Sequence, residues 1–297
     1  MGILKNYILV VVVGLIIWSI YSINSIGVKN SGSGQTINIA PKISSSTPSQ
    51  TGDNQQVNSQ RLADVKEKSS NYELAKEITT PDGFINTDGK HLAINDFIGK
   101  KVILIDFWTY SCINCQRTTP YLNSWYEKYK DKGLVIIGIH TPEFEFEKDY
   151  NNVKAAVEKF GIKFPVVLDN DYSTWSAYRN LYWPRKYLID IDGYIVYDHI
   201  GEGGYEETEQ KIQKALSEKM AVLNEKGVID QSLTKESYNQ ISQISPETYF
   251  GSARNDQQAN LLFPSNSWNI TPEFAQNTSA NANIVYTYTA KDVFFVA

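Results

Sequence analysis

"KVILIDFWTYSCINCQRTTP", residues 101–120, runs from an unbroken apolar stretch straight into both of the chain's cysteines, Cys112 and Cys115. Its opening "KVILIDF", like "LVIIGIH" at 134–140, has the composition of a central strand covered on both faces. The pattern from 112 to 131 is helical, so the two sulfurs stand one turn apart where strand passes into helix.

Four chemistries compete for such a pair. A structural zinc site needs four ligands, and the three histidines, His91, His140 and His199, are scattered singly. A structural disulfide across one turn closes a tiny loop and constrains little of the unfolded chain. A peroxidase wants its resolving cysteine elsewhere. Redox exchange fits best: helix N-termini favour an anionic sulfur, and a second sulfur one turn inside can resolve a mixed disulfide.

The bulk composition sets limits. A length of 297 residues, with 42% hydrophobic and 21% charged residues, describes a globular protein of one large or two modest domains. Net charge is −5 and the sequence shows no basic stripe, which argues against nucleic acid as the partner. "YILVVVVGLIIWSIYSI" (7–23) carries no charge, and Lys5 precedes it. This run is long enough to cross a bilayer with the rest of the chain exported; a cleaved signal peptide is the competing reading. The domain expectation is an anchor at 1–24, a flexible Ser/Gly/Asn-rich linker at 25–70, an α/β domain at 71–227 and a β-rich part at 228–297.

Within the α/β part, "FINTDGKHLAINDF" reads as an N-terminal hairpin turning at Asp88-Gly89. Val153, Ala156, Val157 and Phe160 give a helix closed by Gly161, and "FPVVL" a strand. "KYLIDI" and "YIVYDH" form a second hairpin around Asp192-Gly193, followed by a last helix with Ile212, Leu216, Met220 and Leu223 on one face. Strands alternating with helices give a sheet with helices on both sides.

The motifs resemble those of thioredoxin-like proteins. Asp106, six residues before Cys112, occupies the place of that family's buried carboxylate, and Pro120 that of the proline inside the active-site helix. Pro184 in "LYWPRKYLID" stands where the fold carries a cis-proline facing the disulfide. The extra helix between "GIH" and "FPVVL" is similar to the insertion of the membrane-tethered TlpA/ResA branch. "DFWTYSCINCQRTTPYL", "GIHTPEFEFE", "YWPRKYLID" and "SPETYFG", in that order, resemble the soluble part of DipZ-type cytochrome c biogenesis proteins over about residues 72–297.

This resemblance implies a thioredoxin fold and an extracytoplasmic thiol–disulfide oxidoreductase acting on exported proteins without metal or organic cofactor. Cys112 would attack, Cys115 would resolve, and Asp106, with a raised pKa, would accept the Cys115 proton. Trp108, Trp183 and Pro184 are the candidate substrate contacts. A glutamate of the insertion approaches the active site in related proteins. Of Glu143, Glu145 and Glu147, Glu143 is the candidate because Pro142 fixes it near the end of the central strand; a solvated acidic face is the alternative for all three.

DipZ-type proteins often carry a multi-span electron-transfer domain, so a chain with one short anchor needs a separate membrane electron donor or acceptor. Ile113-Asn114 between the cysteines departs from thioredoxin's Gly-Pro. The direction of exchange stays open: resemblance favours reduction, an exported location allows oxidation. Residues 228–297 resemble a small jelly-roll-like, carbohydrate-binding-module-like domain in which Trp268, Tyr249 and Phe250 could stack on a glycan, though aromatics there are more often core. About seventy residues fall short of a sandwich's ~100, so the domain is minimal or the sequence a fragment. A cell-envelope binding protein using that domain is the rival reading. Copper delivery is weakened by the presence of only two methionines.

Overall fold

The computed structural model describes residues 53–236, 247–254, 261–262, 267–290 and 293. The anchor segment at 1–24 and the linker up to residue 52 lie outside them. No helix among the described residues is long and apolar enough to cross a membrane.

The stretch expected as flexible linker ends earlier than residue 70, because Asp53–Asn71 is a helix, α1. It contains no glycine or proline, and its seven Gln, Lys, Arg and Glu residues lose little on entering a helix. The helix docks by charge. Lys68 bonds Asp190 at 2.5 Å and Asp192 at 3.0 Å, and also Glu218, while Arg61 bonds Asp192. Burial pulls Lys68 down, but these carboxylates outweigh it and hold the ammonium above its ordinary range. The trio Asp190, Asp192 and Glu218, close enough to one another to hold a metal ion, is thus already served by a lysine.

Six strands form one mixed sheet: β1 (Gly83–Ile85), β2 (Val102–Trp108), β3 (Leu134–His140), β4 (Val166–Leu168), β5 (Arg185–Ile189) and β6 (Ile195–Ile200). Their spatial order is β1-β4-β3-β2-β5-β6. β2, β3 and β4 run parallel, whereas β1, β5 and β6 pair antiparallel with their neighbours. The parallel pairs need crossovers, supplied by helices α2 (Ile113–Tyr129) and α3 (Tyr150–Lys159). The short helix α4 (Ser173–Ala177) precedes β5, and α5 (Tyr205–Val222) follows β6.

The N-terminal hairpin does not form. After β1 the chain turns through Asn86, Asp88 and Gly89, all in the left-handed region, and 94–96 is a single 3-10 turn. The N–H groups of Ile94 and Asn95, which a second strand would have used in its ladder, donate to the Glu77 carboxylate. β1 pairs instead with β4.

Every residue of β2 is buried, and alternation sorts them onto two faces. Val102, Leu104 and Trp108 face the cluster built by Leu122, Trp125 and Tyr129 of α2, Val153 and Val157 of α3, and Ile212 and Leu216 of α5. Ile103, Ile105 and Phe107 face a second cluster with Ile94, Trp175 and Tyr178. Each fully buried Leu or Ile contributes about 1.5–3 kcal/mol. This is the thioredoxin-like arrangement, and Asp106 takes its side from the same alternation: it faces α2.

Beyond residue 246, the described strands are β7 (Leu261–Leu262) paired with β10 (Val285–Tyr286), and β8 (Trp268–Ile270) paired with β9 (Ala275–Asn277). Among the described residues these two small ladders are all the strand structure of the expected β-domain.

Candidate active site

Cys112 is the N-cap of α2, with extended backbone (φ −66°, ψ 116°), and Cys115 is the helix's third residue. One turn of rotation carries the second sulfur inward: Cys112 is partly exposed, while Cys115 is 2% exposed within the α2-side core. Both are free thiols. Burial pushes the Cys115 thiol well up, and its bond to Cys112 and the charges of Cys112 and Asp106 push further. Pro120 lies inside α2, and Thr119 bonds back to the Cys115 carbonyl at 2.9 Å, an extra tie beneath the cysteine turn.

Asp106 is 2% exposed on the face that α2 covers. Burial raises its carboxyl to about 6, with Lys186 pulling the other way. Because the folded value lies above the unfolded one, its contribution to stability is fully present below pH 3.8 and is lost as pH rises through about 6. Lys186, which the sequence reading passed over, is fully buried, with Nζ 3.7 Å from Asp106 Oδ1.

The loop from β2 to α2 is fixed from the β3 side. Thr141 N–H donates to Trp108 O at 3.1 Å, and Thr109 Oγ1 lies 3.4 Å from His140 Nε2. Burial pushes His140 down to about 3, so its ring is neutral at ordinary pH, and it stacks on Tyr110 with centroids 5.6 Å apart. Tyr110 O accepts from Gln116 Nε2 at 2.9 Å, and its hydroxyl donates to Phe146 O at 3.3 Å.

Of the three inserted glutamates, Glu147 reaches the cysteine loop. It is fully buried, and its carboxylate accepts from Ser111 N and Oγ on one side and from Glu143 N and Phe144 N on the other. Glu143 is turned the other way: its carboxylate accepts from Arg254 and from Tyr249 OH at 3.3 Å. Burial raises Glu143 and Arg254 lowers it. Its backbone, held by Glu147, aims the side chain at the C-terminal segment rather than at the sulfurs.

Trp183–Pro184 is a cis peptide bond, and Pro184 O accepts Gly201 N–H at 2.8 Å. Trp183 Nε1 donates to Thr141 O at 3.0 Å, and its ring and Cys112 pack against the same core cluster. Trp108, expected to touch substrate, is 3% exposed: as the last residue of β2 on the α2 side it points into the core, edge-on to His140. The residues beside Trp183 that do reach solvent are Leu181 and Tyr182. Of the glycan candidates, Tyr249 has Arg254 over its ring at 4.7 Å, and Trp268 donates from Nε1 to Asn283 O.

The family model for Redoxin matches residues 68–216, half of the chain. Protein DipZ of Mycobacterium tuberculosis is 39% identical over 244 residues, covering 73% of this chain and 35% of DipZ, so the chain spans about a third of that relative's length. Thiol-disulfide oxidoreductase ResA of Bacillus cereus is 34% identical over 149 residues, covering 50% of this chain and 81% of ResA. A solution structure of a thioredoxin-like protein in its oxidised form shares 27% identity with a TM-score of 0.45, covering 50% of this chain and 97% of that one. The chain belongs to the Redoxin family, as a thioredoxin-like protein of the TlpA/ResA type related to DipZ.

Proposed function

We propose that this protein is a thiol–disulfide oxidoreductase that reduces disulfides of exported proteins through Cys112 and Cys115, held at the extracytoplasmic face of the membrane by segment 7–23. One observation carries the chemistry: a partly exposed sulfur at a helix start has a buried second sulfur one turn behind it and a buried carboxylate on the same face. Cys112 attacks a substrate disulfide and releases one substrate thiolate. Cys115 then attacks Cys112, forming the intramolecular disulfide and freeing the second substrate thiolate, while Asp106 takes the Cys115 proton. The two electrons are then restored by a dithiol donor.

The docking of α1 fixes where the described chain enters the domain. Asp190 and Asp192 lie past the Ile189 end of β5, and Ile189 pairs near the start of β2, whereas the cysteines follow its other end. Helix α1 therefore joins the domain at the pole opposite the sulfurs.

Reduction of insulin disulfides by dithiothreitol tests the activity. The full-length protein is expected to accelerate insulin precipitation at least about tenfold, and Cys112→Ser to abolish the acceleration. An unaccelerated reaction with the wild-type protein would count against it.

A further inference from the structure

The chain beyond α5 returns toward the cysteine end of the domain. Residues 230–236 run along α2 against its direction. Tyr129 OH donates to Asp230 O at 3.3 Å, Lys128 Nζ to Ser232 Oγ at 3.1 Å, and Tyr121 OH to Glu236 O at 3.4 Å. The buried Glu209 of α5 holds the same stretch, accepting from Thr234 N at 2.6 Å. Further on, Arg254 bonds Glu143 in the turn after β3, and its guanidinium lies 5.7 Å from the Phe144 ring centre. Glu145 N donates to Glu273 at 3.2 Å. The C-terminal segment thus grips residues 143–145.

The same turn holds the cysteine loop. Glu143 N and Phe144 N donate to Glu147 Oε2 at 2.5 and 2.9 Å, and Glu147 Oε1 accepts from Ser111 N at 3.3 Å and Ser111 Oγ at 2.5 Å. Phe144 stacks on Phe146 with centroids 5.5 Å apart, and Phe146 meets Tyr110 edge-on at 6.2 Å. One polar and one aromatic path therefore lead from Arg254 to Ser111 and Tyr110, the two residues before Cys112. Charge makes Arg254 matter. Glu143 has only 12% of its side chain exposed and stands near the carboxylates of Glu147 and Glu247, which Arg254 opposes. Without that cation the Glu143 carboxylate gains by turning out to water, and the movement draws its own N–H off Glu147.

We propose that Arg254 is a positioning residue for the exchange reaction: by holding Glu143 it keeps the Glu147–Ser111 anchor closed and Cys112 within reach of Cys115. This rests on the exchange reading above. The step it serves is ring closure. The Cys115 sulfur bonds to Cys112 Sγ, the bond from Cys112 to the substrate sulfur breaks, and that sulfur leaves with the electron pair while the Cys115 proton passes to Asp106. Cys115 is fixed in the core, so freedom gained at Cys112 lowers the effective concentration of one sulfur at the other. The C-terminal segment is by this route part of the redox unit.

Mixing the reduced full-length protein with dithiobis(nitrobenzoate) reads two steps apart, since attack by Cys112 releases the first coloured thiol and ring closure by Cys115 the second. Arg254→Met removes the charge but keeps a side chain that packs on the Phe144 and Tyr249 rings. It is expected to leave the first phase within about threefold and to slow the second about tenfold. In glutathione buffers the equilibrium constant for closing the Cys112–Cys115 disulfide should also fall about tenfold, which raises the potential by about 30 mV. The pair rests on one Nη1–Oε1 contact rather than a two-pronged fork, so Arg254→Lys should recover at least about half of the wild-type second-phase rate. In a Glu143→Gln background Arg254→Met should add less than about twofold, because Arg254 acts through Glu143. An unslowed second phase after a normal first phase would overturn the proposal alone. So would equal slowing of both phases, no recovery with lysine, or an undiminished effect of Arg254→Met in Glu143→Gln. No first phase in the wild-type protein would overturn the exchange reading and this proposal with it.

Discussion

Cys115→Ala is expected to accumulate covalent mixed disulfides with exported proteins, at least about tenfold more than Cys112→Ala. The asymmetry follows from where α2 begins. Cys112 caps the helix and keeps a face toward solvent, so a substrate disulfide can reach it. Cys115 is 2% exposed, and burial holds its thiol in the protonated, poorly nucleophilic form. Removing Cys115 therefore leaves the first attack intact and removes the only nearby sulfur that resolves it, both cysteines of the chain being in this turn. The adducts should dissolve in dithiothreitol, and mass spectrometry should find them on Cys112. Equal trapping by the two variants would contradict the assigned order of attack.

Glu147→Ala is expected to lower the unfolding free energy by about 3–5 kcal/mol, a large share of a typical domain's stability. Its carboxylate is the shared acceptor for Ser111 N, Glu143 N and Phe144 N, and the side chain is fully buried. Alanine leaves these donors facing a dry gap, each unsatisfied group costing about 1–3 kcal/mol. Glu147→Gln keeps one acceptor oxygen and should cost less, about 1–3 kcal/mol. Because Ser111 immediately precedes Cys112, loosening this knot should also raise the alkylation rate of Cys115. Denaturant unfolding measures the first effect and iodoacetamide labelling the second. A loss below about 1 kcal/mol for the alanine variant would mean that the loop finds other acceptors.

The features most legible in the sequence were those that rest on local pattern. The unbroken apolar runs at 102–108 and 134–140 announce central strands because both of their faces are covered. Six residues of spacing put Asp106 and Cys112 at one end of β2, and alternation turns Asp106 toward α2. What escaped depends on pairing across the chain. Lys186 looks like a solvated cation beside Arg185 until the register of β5 against β2 sets it opposite Asp106. Its signal was present, two residues before the inward Leu188 of an apolar strand. Glu143 and Glu147 are the same residue type four positions apart, and only the buried knot at Ser111 separates their roles. Helix α1 was hidden for a similar reason: its polar sequence buries little, and its docking charges, Asp190, Asp192 and Glu218, lie more than a hundred residues away. Trp108 shows the converse error, since an aromatic beside an active-site loop can belong wholly to the core.

Equilibration of the full-length protein in glutathione buffers of graded potential, followed by alkylation and mass spectrometry, tests the central claim most directly. A reductant of exported disulfides predicts one two-electron transition in which Cys112 and Cys115 lose two hydrogens together. Its midpoint should lie nearer thioredoxin's about −270 mV than the about −120 mV of a strong oxidant. Cysteines that stay reduced throughout, or that each take glutathione without bonding to one another, would contradict it.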